Sequence, residues 1–277
     1  MRITVIPNHT KDIGLTQTGE LCEILRRGGA KIRMDARYSG SGIEAEYCDA
    51  GLYEGADAAV VLGGDGTILQ AAEPCARLGI PVMGINLGRV GFMTEVEPSD
   101  METAAKRLLN ADYCIEERMM MEVGIRADGA EQSFAALNDC VVAKNDAQMI
   151  MAGIFADNEK ITEYIADGVI ISTPTGSTGY SLSAGGPVAD PGTEVFLITP
   201  VCAHTLKARP TLVSADKEIS VRLFEGANSY ASVTVDGVVR GRLSCGDSAV
   251  IRKADISLKL IKFGKQSFYD ILAAKLG

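Results

Sequence analysis

The stretch Val60–Leu69, Val-Val-Leu-Gly-Gly-Asp-Gly-Thr-Ile-Leu, constrains this chain more than any other. The apolar run Ala58–Leu62 before the turn has the composition of a strand buried on both faces of a parallel sheet. Gly63, Gly64 and Gly66 leave the backbone bare, and Thr67 is placed to cap a helix running towards Leu78. Strand, glycine turn and helix start together make a phosphate cradle. Backbone N–H groups point outward, the helix dipole favours negative charge, and no Cβ keeps an anion away. Asp65 is the unusual member, because a carboxylate there would repel a phosphate unless the chemistry uses it. A base that takes a proton from an attacking hydroxyl is such a use. The alternative is a tight strand–helix turn whose Asp only caps the helix; Asp followed by Gly-Thr within the glycine run favours the phosphate turn.

The 277 residues are 47% hydrophobic and 23% charged, enough core for one large domain or two. A formal net charge of −9 argues against a general nucleic-acid or anionic-membrane binder. A polyanionic substrate must then be held by local amides and a few cations, with a divalent metal. No apolar run approaches ~18 residues, so no transmembrane helix is expected. The opening Met1–Pro7 reads as a strand and not as a signal peptide. Seven cysteines, none in a C-x-x-C pair and most in apolar stretches, fit buried thiols in a reducing cytoplasm. With His9 and His204 as the two histidines, no zinc site is expected.

The pattern predicts an α/β N-terminal domain with a parallel sheet, residues 1–113. Its strands are Ile3–Ile6, Lys31–Met34, Ala58–Leu62 and Pro81–Asn86. A helix over Gly19–Arg27 ends at Gly28-Gly29, and one capped by Ser99 or Asp100 runs to Leu109. Tyr38–Ala50 reads as a loop. Leu87–Met93 is a second glycine turn, and both turns fall on the C-terminal strand edge, where such sheets bind ligands. Near Tyr113 the period changes. Strands are expected at Cys114–Ile125, Gln132–Ala143, Ile150–Asp157, Thr162–Ser172, Glu194–Thr199, Leu212–Ser214, Glu218–Glu225, Ala231–Val239 and Asp247–Arg252, with turns such as Asp128-Gly129 between them. One short helix interrupts them at Gly176–Ala184. This predicts an all-β, sandwich-like second domain, residues 114–256. Residues 257–277 form a C-terminal segment that packs back on the first domain and ends in a capped helix, Ser267–Leu276.

The stretch Ile170–Pro187 is dense in hydroxyls and glycines, which suits recognition of phosphates and sugar hydroxyls; a Ser/Thr-rich capped turn seldom runs so long. Tyr180 within it is either a stacking ring or a core residue, and aromatics usually pack. Asp236-Gly237 is balanced between a ligand contact at a subunit boundary and an ordinary hairpin turn. His204 reads as a structural hydrogen-bonder, and Met119-Met120-Met121 as core or subunit interface. Lys11, just beyond the first strand on the ligand edge of the sheet, is balanced between a phosphate contact and a solvated surface charge.

Gly63-Gly64-Asp65-Gly66-Thr67 resembles the signature of NAD kinases, diacylglycerol and sphingosine kinases and, more distantly, phosphofructokinases. Thr173-Pro174-Thr175-Gly176-Ser177-Thr178-Gly179-Tyr180, followed by Ser183-Ala184-Gly185-Gly186-Pro187, resembles the NAD kinase motif T-P-T-G-S-T-A-Y and S-A-G-G-P. Gly84–Phe92, Ala136–Asp139, Asp167-Gly168, Thr199–Leu206, Arg209-Pro210 and Val235–Gly237 resemble further marks of that family, in order along nearly the whole chain.

The NAD kinase resemblance implies transfer of the γ-phosphoryl group of ATP to the 2′-hydroxyl of the adenosine ribose of NAD, giving NADP, with Mg²⁺ or another divalent cation bound through substrate phosphates. It implies that Asp65 orients that hydroxyl and accepts its proton. Gly63, Gly64, Gly66, Thr67 and Lys11 would hold ATP. Asp65, Gly66, Phe92, Asn138, Asp139, Asp167, Thr175, Thr178, Gly179 and Tyr180 would hold NAD, in a site between the two domains. No residue is assigned as a protein ligand to a metal. A cytoplasmic homotetramer or homodimer is implied as well. Asp139 stands where Glu is common, Gly179 replaces the usual Ala, and Ala203 the usual Pro. A lipid kinase of the diacylglycerol type and a non-catalytic dinucleotide sensor are the rival readings. The second-domain motifs and the acidic composition oppose the first, and the intact Asp65 opposes the second.

Overall fold

The computed structural model describes all residues except Arg89, Val90, Asp128, Leu206, 225–229, Lys265, Gly277 and the side chain of Leu276. The Asp128-Gly129 turn, the end of the expected strand to Glu225, and parts of the Gly84–Phe92 and Thr199–Leu206 motifs therefore lie outside the described residues. The chain divides into two compact units, Met1–Glu117 with Ser257–Gly277, and Arg118–Ile256.

The first unit alternates strand and helix: β1 (Arg2–Pro7), α1 (Thr16–Arg27), β2 (Lys31–Asp35), β3 (Glu46–Cys48), β4 (Ala58–Gly63), α2 (Asp65–Leu78), β5 (Val82–Asn86) and α3 (Met101–Leu109). The strands lie in the order β3-β2-β1-β4-β5, all parallel. Every residue of β4 and β5 is buried, as expected of central strands covered on both faces. α1 begins three residues before the expected Gly19, because the Asp12 carboxylate caps it, accepting the amides of Gln17 at 3.0 Å and Thr18 at 2.8 Å. Tyr38–Ala50 is not a plain loop. A 3-10 helix at Ala36–Ser41, capped by Asp35, and the edge strand β3 give its backbone local partners that its polar composition does not reveal. In the Asp100 region a 3-10 turn, Pro98–Asp100, leads into α3 without a side-chain cap.

The chain leaves the first unit within β6 (Cys114–Ala127). The second unit continues with β7 (Ala130–Ala136), β8 (Asp139–Lys144), β9 (Ile150–Ala156), β10 (Glu159–Ala166), β11 (Gly168–Ser172), α4 (Tyr180–Ser183), β12 (Val195–Val201), β13 (Thr211–Ser214), β14 (Ile219–Leu223), β15 (Ala231–Val235) and β16 (Val238–Leu243). The chain returns within β17 (Ser248–Lys262), and α5 (Phe268–Leu276) ends it. One sheet has the order β13-β12-β11-β8-β15-β16 and is antiparallel throughout. The other joins β10, β9, β14 and β17, with β6 and β7 beyond. Alternate residues of both sheets, among them Val123, Val142, Ile154, Ile171, Phe196 and Val221, share one core, so the unit is the expected sandwich. Met119, Met120 and Met121 are buried.

Three expected strands are each two. Gln132–Ala143 breaks at Leu137-Asn138, Thr162–Ser172 at Asp167, and Ala231–Val239 at Asp236-Gly237. Each break includes a polar residue set in an apolar run (Asn138, Asp167, Asp236), and each of these is a candidate site residue. Conversely, Asp247–Arg252 runs on to Lys262 through the polar Lys253–Asp255, because ladder hydrogen bonds hold a strand whatever its exposed side chains are. Gly176–Ala184 is a 3-10 turn at Thr175–Thr178 followed by the single turn α4.

Candidate active site

In the first unit the two glycine turns leave the C-terminal ends of β4 and β5. α2 starts at Asp65 with Gly64 as its N-cap, two residues before Thr67. Thr67 is thus not the cap. Its amide donates to Gly64 O at 2.9 Å, and its hydroxyl accepts from Asn8 Nδ2 at 2.9 Å. The amides of Gly64, Asp65 and Gly66 lie ahead of that first intrahelical bond, at the positive end of the helix. A Cβ on Gly64 would stand 2.8 Å from Lys11 Nζ, and one on Gly88 3.4 Å. The bare turns therefore admit the Lys11 ammonium above both of them. Gly63 is obligatory for a different reason: a Cβ there would meet Thr67 Oγ1 at 2.3 Å.

The Asp65 carboxylate does not cap its own helix. It reaches the second turn, where Oδ2 accepts the Phe92 amide at 2.8 Å and Oδ1 the Met93 amide at 3.1 Å. A Cβ on Gly91 would lie 2.1 Å from Asp65 Oδ1, so only glycine lets the carboxylate sit there. Two buried oxygens nearby, Asn86 Oδ1 and Thr94 Oγ1, have no hydrogen-bond partner. The Phe92 ring packs on Phe268 of α5 with centroids 5.6 Å apart, and Lys275 Nζ lies 4.8 Å from its centre.

In the second unit the break between β7 and β8 carries Asn138 and Asp139. Asp236, at the turn between β15 and β16, holds that corner. Its carboxylate accepts the amides of Leu137 at 2.7 Å, Asn138 at 2.8 Å and Asp139 at 3.1 Å. Its own amide donates to Asp139 O at 3.0 Å. Asp236 is thus neither a plain hairpin residue nor spent on solvent. Asp139 is only 8% exposed, and burial, with the Asp236 charge beside it, pushes its carboxyl up to about 7. Burial likewise raises Asp236, against the opposing pull of the three amides.

The hydroxyl-rich stretch divides in two. Ser172, Thr173, Ser177 and Ser181 are fully buried and serve the fold: Ser172 Oγ donates to Asn138 O at 3.2 Å, Thr173 Oγ1 donates to Leu137 O, Ser177 Oγ donates to Pro174 O at 2.6 Å, and Ser181 bonds Thr199. Gly176 is pressed against the same corner, since a Cβ there would meet Asn138 O at 2.2 Å. Asn138 Oδ1 is buried without a partner, and its Nδ2 lies 3.9 Å from the place a Cβ on Gly179 would take. Thr178 is half-buried, its hydroxyl donating to Thr175 O at 3.3 Å. Thr175 Oγ1 accepts from Arg118 at 3.4 Å, a guanidinium only 2% exposed on β6. Tyr180 is 48% exposed, so it is not the core residue that aromatics usually are. Asp167, between β10 and β11, pairs with Lys144 Nζ at 2.6 Å. His204 is exposed, and its backbone amide donates to Ile165 O.

Sequence reasoning left the role of Asp236 undecided and missed Gly91 as a spacer, Arg118 and Thr94. Only the charged Arg118 beside a Met-Met-Met strand offered a local signal. The spacing role of Gly91 depends on Asp65, 26 positions away, and the clamp of Asp236 on amides 97 to 99 positions away. Among the described residues no three of His, Cys, Asp and Glu are grouped to hold a metal ion, and no helix is long and apolar enough to cross a membrane.

Residues 11–113 match the family profile described as the ATP-NAD kinase N-terminal domain, and residues 137–263 match the ATP-NAD kinase C-terminal domain. The NAD kinase of Heliobacterium modesticaldum is 48% identical over 222 residues, 79% of this chain and 78% of that one. The NAD kinase of Lachnoclostridium phytofermentans is 39% identical over 284 residues, covering 100% and 99%. Among solved structures, yeast NADH kinase complexed with NADH superposes with a TM-score of 0.89 at 21% identity, over 99% of this chain and 85% of that one. The NAD kinase of Archaeoglobus fulgidus in complex with ATP gives 0.75 at 26% identity, over 100% and 98%. The chain belongs to the NAD kinase family.

Proposed function

We propose that this chain is an NAD kinase that transfers the γ-phosphoryl group of ATP to the 2′-hydroxyl of the adenosine ribose of NAD, giving NADP. The observation that carries the reading is the Asp65 carboxylate, held by the Phe92 and Met93 amides at the mouth of a glycine turn that also admits Lys11. Two of the carboxylate's roughly four lone-pair positions are used by those amides, and the others are free to accept a proton. In this reading Asp65 orients the hydroxyl and accepts its proton as the phosphoryl group departs. The amides of Gly64 and Gly66, the turn at Gly63, the Thr67 hydroxyl proton and the Lys11 ammonium bind the donor phosphates. Phe92 meets the adenine side of NAD. Asn138, with an unpartnered buried oxygen ready for an exocyclic amine, and Asp139 hold the adenosine. Thr175, Thr178, Gly179 and the exposed Tyr180 ring line the dinucleotide pocket, and Asp167 lies towards the nicotinamide half. Because such transfer asks mainly for positioning, rigid strand ends suit it.

Mg²⁺ fits this site as an ion carried in on substrate phosphates, whose hard oxygens are its preferred donors and whose charge it offsets. A reducing cytoplasm belongs to the same reading, since all seven cysteines are free thiols and Cys22, Cys75 and Cys140 are buried ones. Exposed Leu212 on edge strand β13 and Val238 and Val239 on edge strand β16 support self-association as a homodimer or homotetramer. The decisive experiment mixes protein, NAD, ATP and Mg²⁺ and detects NADP with an NADP-specific dehydrogenase. NADP formation is expected. Tight NAD binding with no NADP under several donors and metals would replace the proposal with a dinucleotide sensor.

A further inference from the structure

Thr94, beyond the second glycine turn, is 1% exposed, and its hydroxyl has no hydrogen-bond partner. Buried polar atoms are rarely left so, and each exception asks for a reason. The fold fixes where this hydroxyl stands. After the turn the chain comes back beside β5: the Asn86 amide donates to Val96 O at 2.7 Å, and the Val96 amide to Gly84 O at 3.2 Å. Gly84 makes room for that return, since a Cβ there would meet Thr94 Cα at 3.0 Å and Thr94 Cγ2 at 2.9 Å. The same place lies 2.9 Å from Ile68 Cδ1 of α2, so the Thr94 methyl is held between strand and helix. Threonine is stiff about χ1, and a held methyl also aims the hydroxyl.

It is aimed towards the Asp65 carboxylate. The place a Cβ on Gly91 would take lies 2.5 Å from Thr94 Oγ1 and 2.1 Å from Asp65 Oδ1. The two oxygens therefore close on one point, which only a glycine leaves open. Each Asp65 oxygen already accepts one amide, Oδ1 that of Met93 at 3.1 Å and Oδ2 that of Phe92 at 2.8 Å, so each keeps one lone pair. Asn86 Oδ1, also buried without a partner, belongs to the face of β5 that Gly84 shares. As a neutral amide it is the weaker of the two acceptors open to the Thr94 hydroxyl.

We infer that in the substrate-loaded site the Thr94 hydroxyl donates to Asp65 Oδ1, which makes Thr94 the positioning residue of the proton acceptor. The inference rests on the phosphotransferase reading above. Hydrogen bonds of a catalytic group that are long in the free protein tighten in the Michaelis complex. With the Met93 amide and the Thr94 hydroxyl both on Oδ1, the one lone pair left is on Oδ2, beside Phe92. The ribose oxygen bonds to the γ-phosphorus, and the bond from that phosphorus to the bridging oxygen of ATP breaks, its electron pair leaving on ADP. The ribose proton goes to Oδ2. Thr94 keeps its own proton throughout and touches no substrate atom.

Thr94→Val removes the hydroxyl and keeps the shape. Its kcat should fall about tenfold or more, the scale of a lost hydrogen bond to a charged group, with KM for NAD and for ATP within about twofold. Thr94→Ser keeps the hydroxyl and should hold kcat within about threefold of wild type. Thr94→Ala carries the same expectation as Val where Val is not accommodated. A hydroxyl that served the fold alone would lower Tm when removed and leave kcat in place. A kcat within twofold of wild type in the folded Val or Ala variant, or equal losses in Val and Ser, would overturn the inference. Carbon-13 NMR of protein labelled at the aspartate carboxyl carbons, with NAD added, reads the bond without turnover. The Asp65 resonance, identified by its loss in Asp65→Asn, should move in Thr94→Val and return in Thr94→Ser; a resonance that stays in place in Thr94→Val overturns the bond. NADP formation by wild type is read separately: its absence removes the phosphotransferase reading and leaves the NMR comparison to decide the hydrogen bond.

Discussion

The carboxylate of Asp236 accepts the backbone amide of Asn138 at 2.8 Å, across 98 positions of sequence. The same carboxylate takes the flanking amides of Leu137 and Asp139, so one side chain sets the turn from which Asn138 and Asp139 project. Asp236 itself sits at φ 46°, in the left-handed region, which Asp tolerates better than bulkier residues. Asp236→Ala should orphan three amides at about 1–3 kcal/mol for each buried group. Asp236→Asn keeps one carbonyl acceptor and should lose less. The expected outcome is a lowered Tm and a raised KM for NAD, larger for Ala than for Asn. An unchanged KM in folded Asp236→Ala would detach this clamp from the nucleotide site.

Asp139 makes stability and binding depend on pH. Its carboxyl stands raised in the folded chain to about 7 by burial and by Asp236, above the ordinary 3.8. Between those values the folded chain holds a proton that the unfolded chain has lost. The contribution is therefore full below about pH 4 and lost as pH rises to about 7. Wild-type Tm should fall across that window relative to Asp139→Asn, whose profile lacks this component. Binding runs the other way, because an ionised acceptor makes the stronger hydrogen bond to a ribose hydroxyl. KM for NAD should fall from pH 6 to 8 in wild type and stay flat in Asp139→Asn. Parallel profiles for the two proteins would remove the titration of Asp139 from both effects.

The division between what was legible in the sequence and what was not follows the range of the interactions. β4 announces itself through a continuous apolar run, because a central parallel strand needs nothing but burial. The glycine turn is legible for the same local reason. The first residue of α2 is not, because Thr67 has the chemistry of a cap but is held by Asn8, 59 positions away. The breaks at Asn138, Asp167 and Asp236 hide inside apolar runs whose alternation continues across them. The hydroxyls of Ile170–Pro187 look alike in sequence. Burial alone separates Ser172, Thr173, Ser177 and Ser181, which brace the fold, from the half-buried Thr178 and the exposed Tyr180.

Gly91 tests the placement of Asp65 without altering the carboxylate. An Ala there would put Cβ 2.1 Å from Asp65 Oδ1, and neither group can stay in place. Displacement of about 1 Å in a catalytic group costs on the order of 100-fold. Gly91→Ala should therefore lower kcat by about that factor. A kcat within twofold of wild type in Gly91→Ala would mean that the observed position of Asp65 is not the working one.

Asp65→Asn separates chemistry from binding, and its effect on the product differs from its effect on the substrate. The amide keeps one oxygen to accept from Phe92 or Met93 but cannot serve as a base. Loss of a general base costs ~10²–10⁴ in rate. NAD affinity should stay within about tenfold, because the hydroxyl of NAD is neutral where it meets this residue. NADP is different. Its new phosphate stands where the transferred group arrived, close to the Asp65 carboxylate, and like charges at short range in a partly buried site repel. Wild type should therefore bind NADP less tightly than Asp65→Asn does, and the gap should narrow in high salt as screening grows. With the carboxylate fixed on a strand–turn–helix junction, one hydroxyl lies in line with the donor, and a single phosphate isomer should form. Phosphorus NMR of the product reads the isomer, and calorimetry of NADP on both proteins reads the repulsion. A mixture of 2′ and 3′ phosphates, or NADP binding weakened by Asp65→Asn, would show that the carboxylate does not face the transferred group.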